Sequence, residues 1–173
     1  GWEDLGNTIG ATFGVNTVGT EWQVNLGYGE GSATAVMQQS NTTATGYYEI
    51  VSGPIPIEVG KRYCVSAYTG AHDCSVDVFV YWGATAGPFA NSGAGVDVND
   101  AQYRGGNSLN NYKRHQQFGV APAGALNARV ALRKYGTKAG VSGSYAFFAR
   151  VQFEQVGTLA ASAGPWTASG VSN

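Results

Sequence analysis

Period-two alternation of apolar and polar residues recurs along this chain, and no segment holds a 3.6-residue period over a dozen positions. Side chains alternate between the two faces of a strand, so this pattern predicts half-buried β-strands rather than helices. The predicted strands are Trp22–Tyr28, Ala33–Gln39, Gly46–Val51, Ile55–Val59, Arg62–Tyr68, Ser75–Trp82, Gln116–Val120, Ala128–Tyr135 and Tyr145–Gln155. Gly, Pro, Asn and Ser separate them, as turn chemistry requires. About eight short strands with turns between them imply an all-β fold, an antiparallel β-sandwich of two sheets. The longest irregular stretch is Gly83–Lys113. Residues 1–157 are expected to form one domain, and the Ala/Gly/Ser-rich segment 158–173 an arm or linker.

Composition narrows the function classes. Only 12% of the residues are charged, against about 25% in ordinary domains. The net charge of −1 and the lack of a basic run argue against nucleic acid as a partner. No apolar stretch approaches the roughly 20 residues of a membrane-spanning helix, so membrane insertion is not expected. The two cysteines, Cys64 and Cys74, flank a predicted hairpin with Cys74 near the turn. At about 3.3 Å per residue their separation exceeds the roughly 7 Å a disulfide tolerates. Two free, partly buried thiols are expected.

Three stretches in order carry a resemblance: EIVSGPIPIEVGKRYCVSAYTGAHDCSVDVFVYW, VAPAGALNARVAL and SYAFFARVQFEQVG. Together they resemble the centre, a later strand entry and the closing strand of galactose-binding-like jelly-roll carbohydrate-binding modules. Versions of that domain occur in tail, fibre and tip proteins of bacteriophages and phage-like particles. The likeness spans residues 45–157. It implies a jelly roll that binds cell-surface polysaccharide or oligosaccharide, located on a virion among other virion subunits and acting at the bacterial surface. Many such modules place an Asp in the closing strand to hold a structural calcium. Here that neighbourhood reads Phe148-Ala149-Arg150, and Asp97-Val98-Asn99-Asp100 is the only local oxygen cluster. A hard cation wants several oxygen ligands, so no cofactor is expected and calcium is disfavoured.

Jelly-roll topology would put the strands around Arg62–Tyr68, Ser75–Trp82 and Ala128–Tyr135 in one sheet, with the closing strand in the other. Alternation then sends Tyr63, Val65, Ala67, Val76, Val78, Val80, Trp82, Ala128, Val130 and Leu132 inward. The outer face would present Ser66, Tyr68, Asp77, Phe79, Tyr81, Arg129, Arg133 and Tyr135. Tyrosine rings offer flat, stiff surfaces for the C–H faces of sugars, while Arg and Asp offer directional hydrogen bonds to hydroxyls. The same residues have a blander reading, in which Asp77, Arg129 and Arg133 form a cross-strand charge ladder and the tyrosines pack under the Gly-rich loop. A second candidate region is made of loops: His72 beside Asp73 at a hairpin tip, and Tyr103, Arg104, Tyr112 and Arg114 in or after the long loop.

Catalysis is not expected. A glycosidase needs two carboxylates about 5–9.5 Å apart with different roles, and only Asp77 is placed on the candidate face. No G-x-S-x-G nucleophile motif is present, and His72 and His115 lack metal-ligand spacing. The expected function is therefore non-catalytic carbohydrate binding. The alternative is a structural or adaptor jelly roll that joins virion subunits, with homo-oligomerisation a further possibility.

Overall fold

The computed structural model describes residues 1–16, 34–83, 90–91, 98–99, 113–160 and 162–164. Among them twelve strands form two antiparallel sheets, and the chain is the expected β-sandwich jelly roll. The strands are β1 (Trp2–Asn7), β2 (Thr12–Asn16), β3 (Thr34–Gln39), β4 (Tyr47–Ser52), β5 (Ile55–Pro56) and β6 (Arg62–His72). They continue as β7 (Ser75–Gly83), β8 (Ala90–Asn91), β9 (Val98–Asn99), β10 (Lys113–Val120), β11 (Asn127–Tyr135) and β12 (Ser144–Val156). One sheet, here called the front sheet, has the order β1-β4-β11-β7-β8, with β5 on β11 and β9 on β7. The back sheet has the order β10-β6-β12-β3-β2.

Seven of the nine predicted strands have close counterparts. The eighth, Ile55–Val59, shrinks to Ile55–Pro56, and Trp22–Tyr28 lies outside the described residues. The first two strands were not foreseen, because WEDLGN and TFGVN carry too few apolar residues to show alternation. One placement is corrected. Arg62–Tyr68 does not join Ser75–Trp82 and Ala128–Tyr135; as part of β6 it lies in the back sheet, between β10 and β12. The segment between β6 and β7 is an arch that crosses from one sheet to the other, with Asp73 in the left-handed region at φ 57°. A hairpin and an arch present the same inward alternation. They differ in which strand accepts the backbone hydrogen bonds, and periodicity does not encode that.

The core lies between the sheets. Val76, Val78, Val80 and Trp82 of β7 meet Tyr63, Val65 and Ala67 of β6, joined by Ile50, Val130 and Leu132. The inward assignments made from alternation all hold. In β12 a bulge between Ala149 and Gln152 shifts the parity, with Arg150 at φ 52°. Ala146 and Phe148 face the core before it, and Val151 and Phe153 after it. That shift explains why YAFFARVQFE reads as a nearly continuous apolar run. Neither cysteine is in a disulfide, as expected, and both are fully rather than partly buried. Burial, followed by the nearby charge of Glu154, pushes the Cys64 thiol up to about 11.

At one end of the sandwich Lys134 is fully buried. Its Nζ donates to Gln39 Oε1 at 3.0 Å, the Tyr135 carbonyl at 2.8 Å and Ser144 Oγ at 2.6 Å. Gln39 in turn donates to Asn41 Oδ1 and the Thr43 carbonyl, and Asn41 donates to the Ile9 carbonyl. This chain of bonds ties β3, β11, β12 and the β1–β2 turn together. Gly136 permits the approach: a Cβ there would sit 2.6 Å from the carbonyl oxygens of Thr43 and Ala44.

After β12, residues 157–160 and 162–164 bond to the back sheet. Arg62 Nη1 donates to the carbonyls of Thr158 and Ala160, the Ala163 amide to Gln116, and the Gly164 amide to Glu154.

Candidate functional site

Three neighbouring strands of the front sheet set the register of its outer face. Arg133 of β11 lies directly opposite Glu49 of β4 on one side and Asp77 of β7 on the other. Tyr135 pairs with Tyr47, Ala131 with Val51 and Phe79, and Arg129 with Tyr81. These side chains therefore share one face, as period two demands.

The guanidinium of Arg133 is the centre of that face. Its Nε donates to Glu49 Oε2 at 2.6 Å, its Nη2 to the Tyr81 hydroxyl at 3.2 Å and its Nη1 to the Tyr135 hydroxyl at 3.5 Å. Tyr81 then donates to Glu49 Oε1 at 2.8 Å, and Tyr135 to Asp77 Oδ2 at 2.6 Å. Aromatic rings surround the cation, with Cζ 4.3 Å from the Tyr47 centroid and 4.8 Å from that of Phe79. Phe79 and Tyr81 meet edge to face at 5.0 Å. Beyond this cluster, Arg129 is ion-paired with Glu3 at 2.8 Å.

Burial decides what each group can do. Glu49 and Phe79 are each 1% exposed, whereas Tyr47, Asp77, Arg133 and Tyr135 are half-buried. Burial alone would lower the pKa of Arg133, but the hydrogen bonds to Tyr135 and Glu49 and the charge of Glu49 raise it on balance. Burial, reinforced by Glu49, raises that of Tyr81; burial, reinforced by Asp77, raises that of Tyr135. At neutral pH the face thus carries a permanent guanidinium and two neutral phenols whose protons point at carboxylates. A rigid, half-buried array of rings, donors and acceptors is suited to a neutral, hydroxyl-rich ligand.

The structure brings together Asp77, Phe79, Tyr81, Arg129, Arg133 and Tyr135 as expected, and it separates the rest. Tyr68 is on the outer face of the back sheet, packed with Phe147, Ala149, Val36 and Tyr145. Ser66 is buried on that same face and accepts from Arg114 at 3.1 Å. Arg114 is no loop residue: it lies in β10 and also donates to Gln152 and the Gly164 carbonyl. His72 ends β6 and is backbone-paired with Tyr145. Tyr103, Arg104 and Tyr112 lie outside the described residues, as do the Asp97 and Asp100 ends of the oxygen cluster. No group of three or more His, Cys, Asp or Glu side chains converges on a metal-sized site among the described residues.

Two members of the face were missed. Tyr47 and Glu49 belong to it, so Asp77 is not its only carboxylate. The signal was present: in YYEIVS, alternation puts Tyr47, Glu49 and Val51 on one side. Only the pairing of β4 with β11 reveals that this side is continuous with Arg133.

No protein-family model and no curated protein matches the chain. Solved structures do share its fold. TmCBM61, determined with β-1,4-galactotriose, superposes with a TM-score of 0.53 at 10% identity, over 90% of this chain and 88% of that one. The enzymatically active domain of bacteriophage CBA120 tailspike protein 4 gives a TM-score of 0.55 at 12% identity, over 90% of this chain but 19% of that one. A cyclase from Fischerella sp. TAU gives 0.51 at 12% identity, over 91% of this chain and 87% of that one. A galactotriose-bound module, part of an enzymatically active tailspike domain and a cyclase thus share the scaffold, so the likeness defines a β-sandwich and leaves function to the site.

Proposed function

We propose that the chain is a non-catalytic carbohydrate-binding domain whose front-sheet outer face holds a saccharide, within the attachment apparatus of a phage or phage-like particle. The observation that carries this reading is the ring-lined Arg133 guanidinium braced between Glu49, Tyr81 and Tyr135 on a sheet. Tyr47 and Tyr135 supply the reachable ring surface, and Asp77 and Arg133 the polar edge. The motif order over residues 45–157 and the shared fold with TmCBM61 support sugar as the ligand. The shared fold with a tailspike domain supports a virion setting. Hydrolysis is disfavoured because Glu49, buried and ion-paired, has no path to a glycosidic oxygen.

The test is affinity electrophoresis through host polysaccharide, together with a glycan array. Wild type is expected to be retarded, and Tyr47→Ala to lose about fivefold in affinity, because a stacking ring contributes on the order of 1 kcal/mol. Tyr47→Ala is the better probe than Arg133→Ala, which would leave the Glu49 charge buried without its partner. Binding unchanged in Tyr47→Ala would remove this face from the function.

One observation favours the adaptor reading. Val59, Val120, Leu126 and Leu159 are 51%, 56%, 66% and 94% exposed. Bonds between Gly60 and Ala121, Ile57 and Leu126, and Arg62 and Ala160 place them at the same end of the sandwich. An exposed aliphatic end fits contact with another virion subunit or a second copy. Light scattering tests the second-copy form: a stable oligomer dispersed by Leu126→Asp would favour self-assembly, and a monomer would rule that form out.

A further inference from the structure

Two reactive groups meet in the core at the arch end of the sandwich, and the Arg133 face uses neither. Cys74 and Lys134 are both fully buried. Lys134 pairs with Val76 across β11 and β7, and Cys74, two residues before Val76, lies in the same core cluster. The Cys74 thiol donates to the Tyr145 carbonyl at 3.2 Å, and its sulfur is hydrogen-bonded to the Lys134 amine. Oxygens of Gln39, Tyr135 and Ser144, at 3.0, 2.8 and 2.6 Å, fix Nζ in that position. Burial lowers the Lys134 pKa, which favours the neutral amine and its nucleophilic lone pair. Cys64 is equally buried, but its cationic neighbours are Arg114 and Arg62. A guanidinium stays protonated and offers no lone pair to sulfur. Only Cys74 therefore combines a thiol with an amine. A groove lined by Gln39, Asp73 and Tyr145 opens beside the pair. Gln39 bonds Lys134, Tyr145 bonds Cys74, and Asp73 precedes Cys74 in the chain. A small neutral oxidant in that groove thus meets the shell that encloses both groups.

We propose that Cys74 and Lys134 form a latent oxidative cross-link, closed by hydrogen peroxide into a sulfur–nitrogen bond. In the first step the sulfur attacks the peroxide and the O–O bond breaks. The sulfur gains a hydroxyl, as sulfenic acid, and the second oxygen leaves as water with the thiol proton. In the second step the Lys134 lone pair attacks that sulfur and the S–O bond breaks. The hydroxide leaves as water with one amine proton. The sulfur is oxidised by two electrons, the peroxide is reduced to two waters, and the chain loses two hydrogens. An external dithiol reverses the step: it is oxidised to a disulfide, and the Cys74 thiol and Lys134 amine return. The bond ties the β6–β7 arch, which crosses between the sheets, to β11. It locks this end of the sandwich under oxidising conditions and releases it under reducing ones, whatever ligand the Arg133 face holds.

The test is mass spectrometry of the intact folded chain after treatment with hydrogen peroxide, in wild type and in Cys64→Ala. The second variant leaves one thiol, so a disulfide within the chain cannot account for its result. Both are expected to lose two hydrogens, with peptide mapping placing the link between Cys74 and Lys134. Dithiothreitol should restore the starting mass. Cys74→Ser and Lys134→Arg should both abolish the link; should Lys134→Arg fail to fold, Cys64→Ala carries the test, since it alters neither member of the pair. The linked chain should melt roughly 10 °C above its reduced form, because a bond between residues distant in sequence restrains the unfolded chain. Cys74 recovered as a thiol, or carrying oxygens with Lys134 unlinked, would overturn the proposal. A link that forms equally well in urea would also overturn it, since the fold would then play no part. An unchanged melting temperature in the linked chain would overturn the locking role.

Discussion

Arg133 and Lys134 are neighbours in sequence, and β11 turns them to opposite sides of the same sheet. Arg133 faces outward, where a carboxylate, two phenols and aromatic rings meet its planar fork. Lys134 faces inward, where it donates to neutral oxygens of Gln39, Tyr135 and Ser144 and lies beside the Cys74 thiol. Their pKa values move in opposite directions. Hydrogen bonds and the Glu49 charge raise Arg133 despite its burial, whereas burial lowers Lys134, with only the Cys74 thiol opposing it. The first region is a preorganised surface that keeps its charge and presents it to a ligand. The second is an internal clamp that joins loops to both sheets. The same element positions a recognition face and the tie beneath it.

The largest expected effect comes from breaking the outer pair. Glu49→Gln leaves the Arg133 guanidinium without its carboxylate, and should cost about 3 kcal/mol in urea unfolding at pH 7. A loss below about 1 kcal/mol would mean that solvent already screens the pair. Lys134→Met should cost about 2 kcal/mol, since it relieves a buried charge but deprives buried oxygens of their donor. A stabilised Lys134→Met would show that the clamp is dispensable.

A pH series sharpens the same contrast. With its folded pKa below the ordinary 10.5, Lys134 is charged in both folded and unfolded chains at low pH, and the folded chain bears the desolvation cost. Between the lowered value and 10.5 the unfolded chain holds a proton that the folded chain has released, so this contribution to stability rises with pH. Wild type should therefore gain on Lys134→Met through that window. A gap independent of pH would show that Lys134 is not a desolvated cation. The smallest effect is expected for Tyr135→Phe. It removes the hydroxyl that links Arg133 to Asp77 and should cost about 1 kcal/mol, with a modest loss of saccharide affinity. An effect as large as that of Glu49→Gln would move the centre of the face from Glu49 to Asp77.

Much of this was legible in the residues. Strand positions and the inward sets of β6, β7 and β11 follow from alternation within a strand; the shared face of Asp77, Phe79 and Tyr81 with Arg129, Arg133 and Tyr135 follows from it only once the jelly-roll resemblance sets β7 beside β11. The misplacement of Tyr68 and the omission of Tyr47 and Glu49 have one source. Alternation says which residues of a strand face together, and it is silent on which strand lies beside which. Arg114 falls before the predicted strand Gln116–Val120 because KRH carries no apolar residue through which alternation could extend that strand to Lys113.

By itself, the sequence determined an all-β chain with a two-faced set of strands and few charges to place. Those are local properties, governed by side-chain direction and turn chemistry over a few residues. Only the tertiary structure decided that β6 crosses to the back sheet, that β4 brings Glu49 to Arg133, and that Lys134 is enclosed by neutral oxygens. Each of these depends on hydrogen-bond pairing between strands distant in sequence, where backbone partners are chemically alike. The choice among them is made by the packing of the whole core.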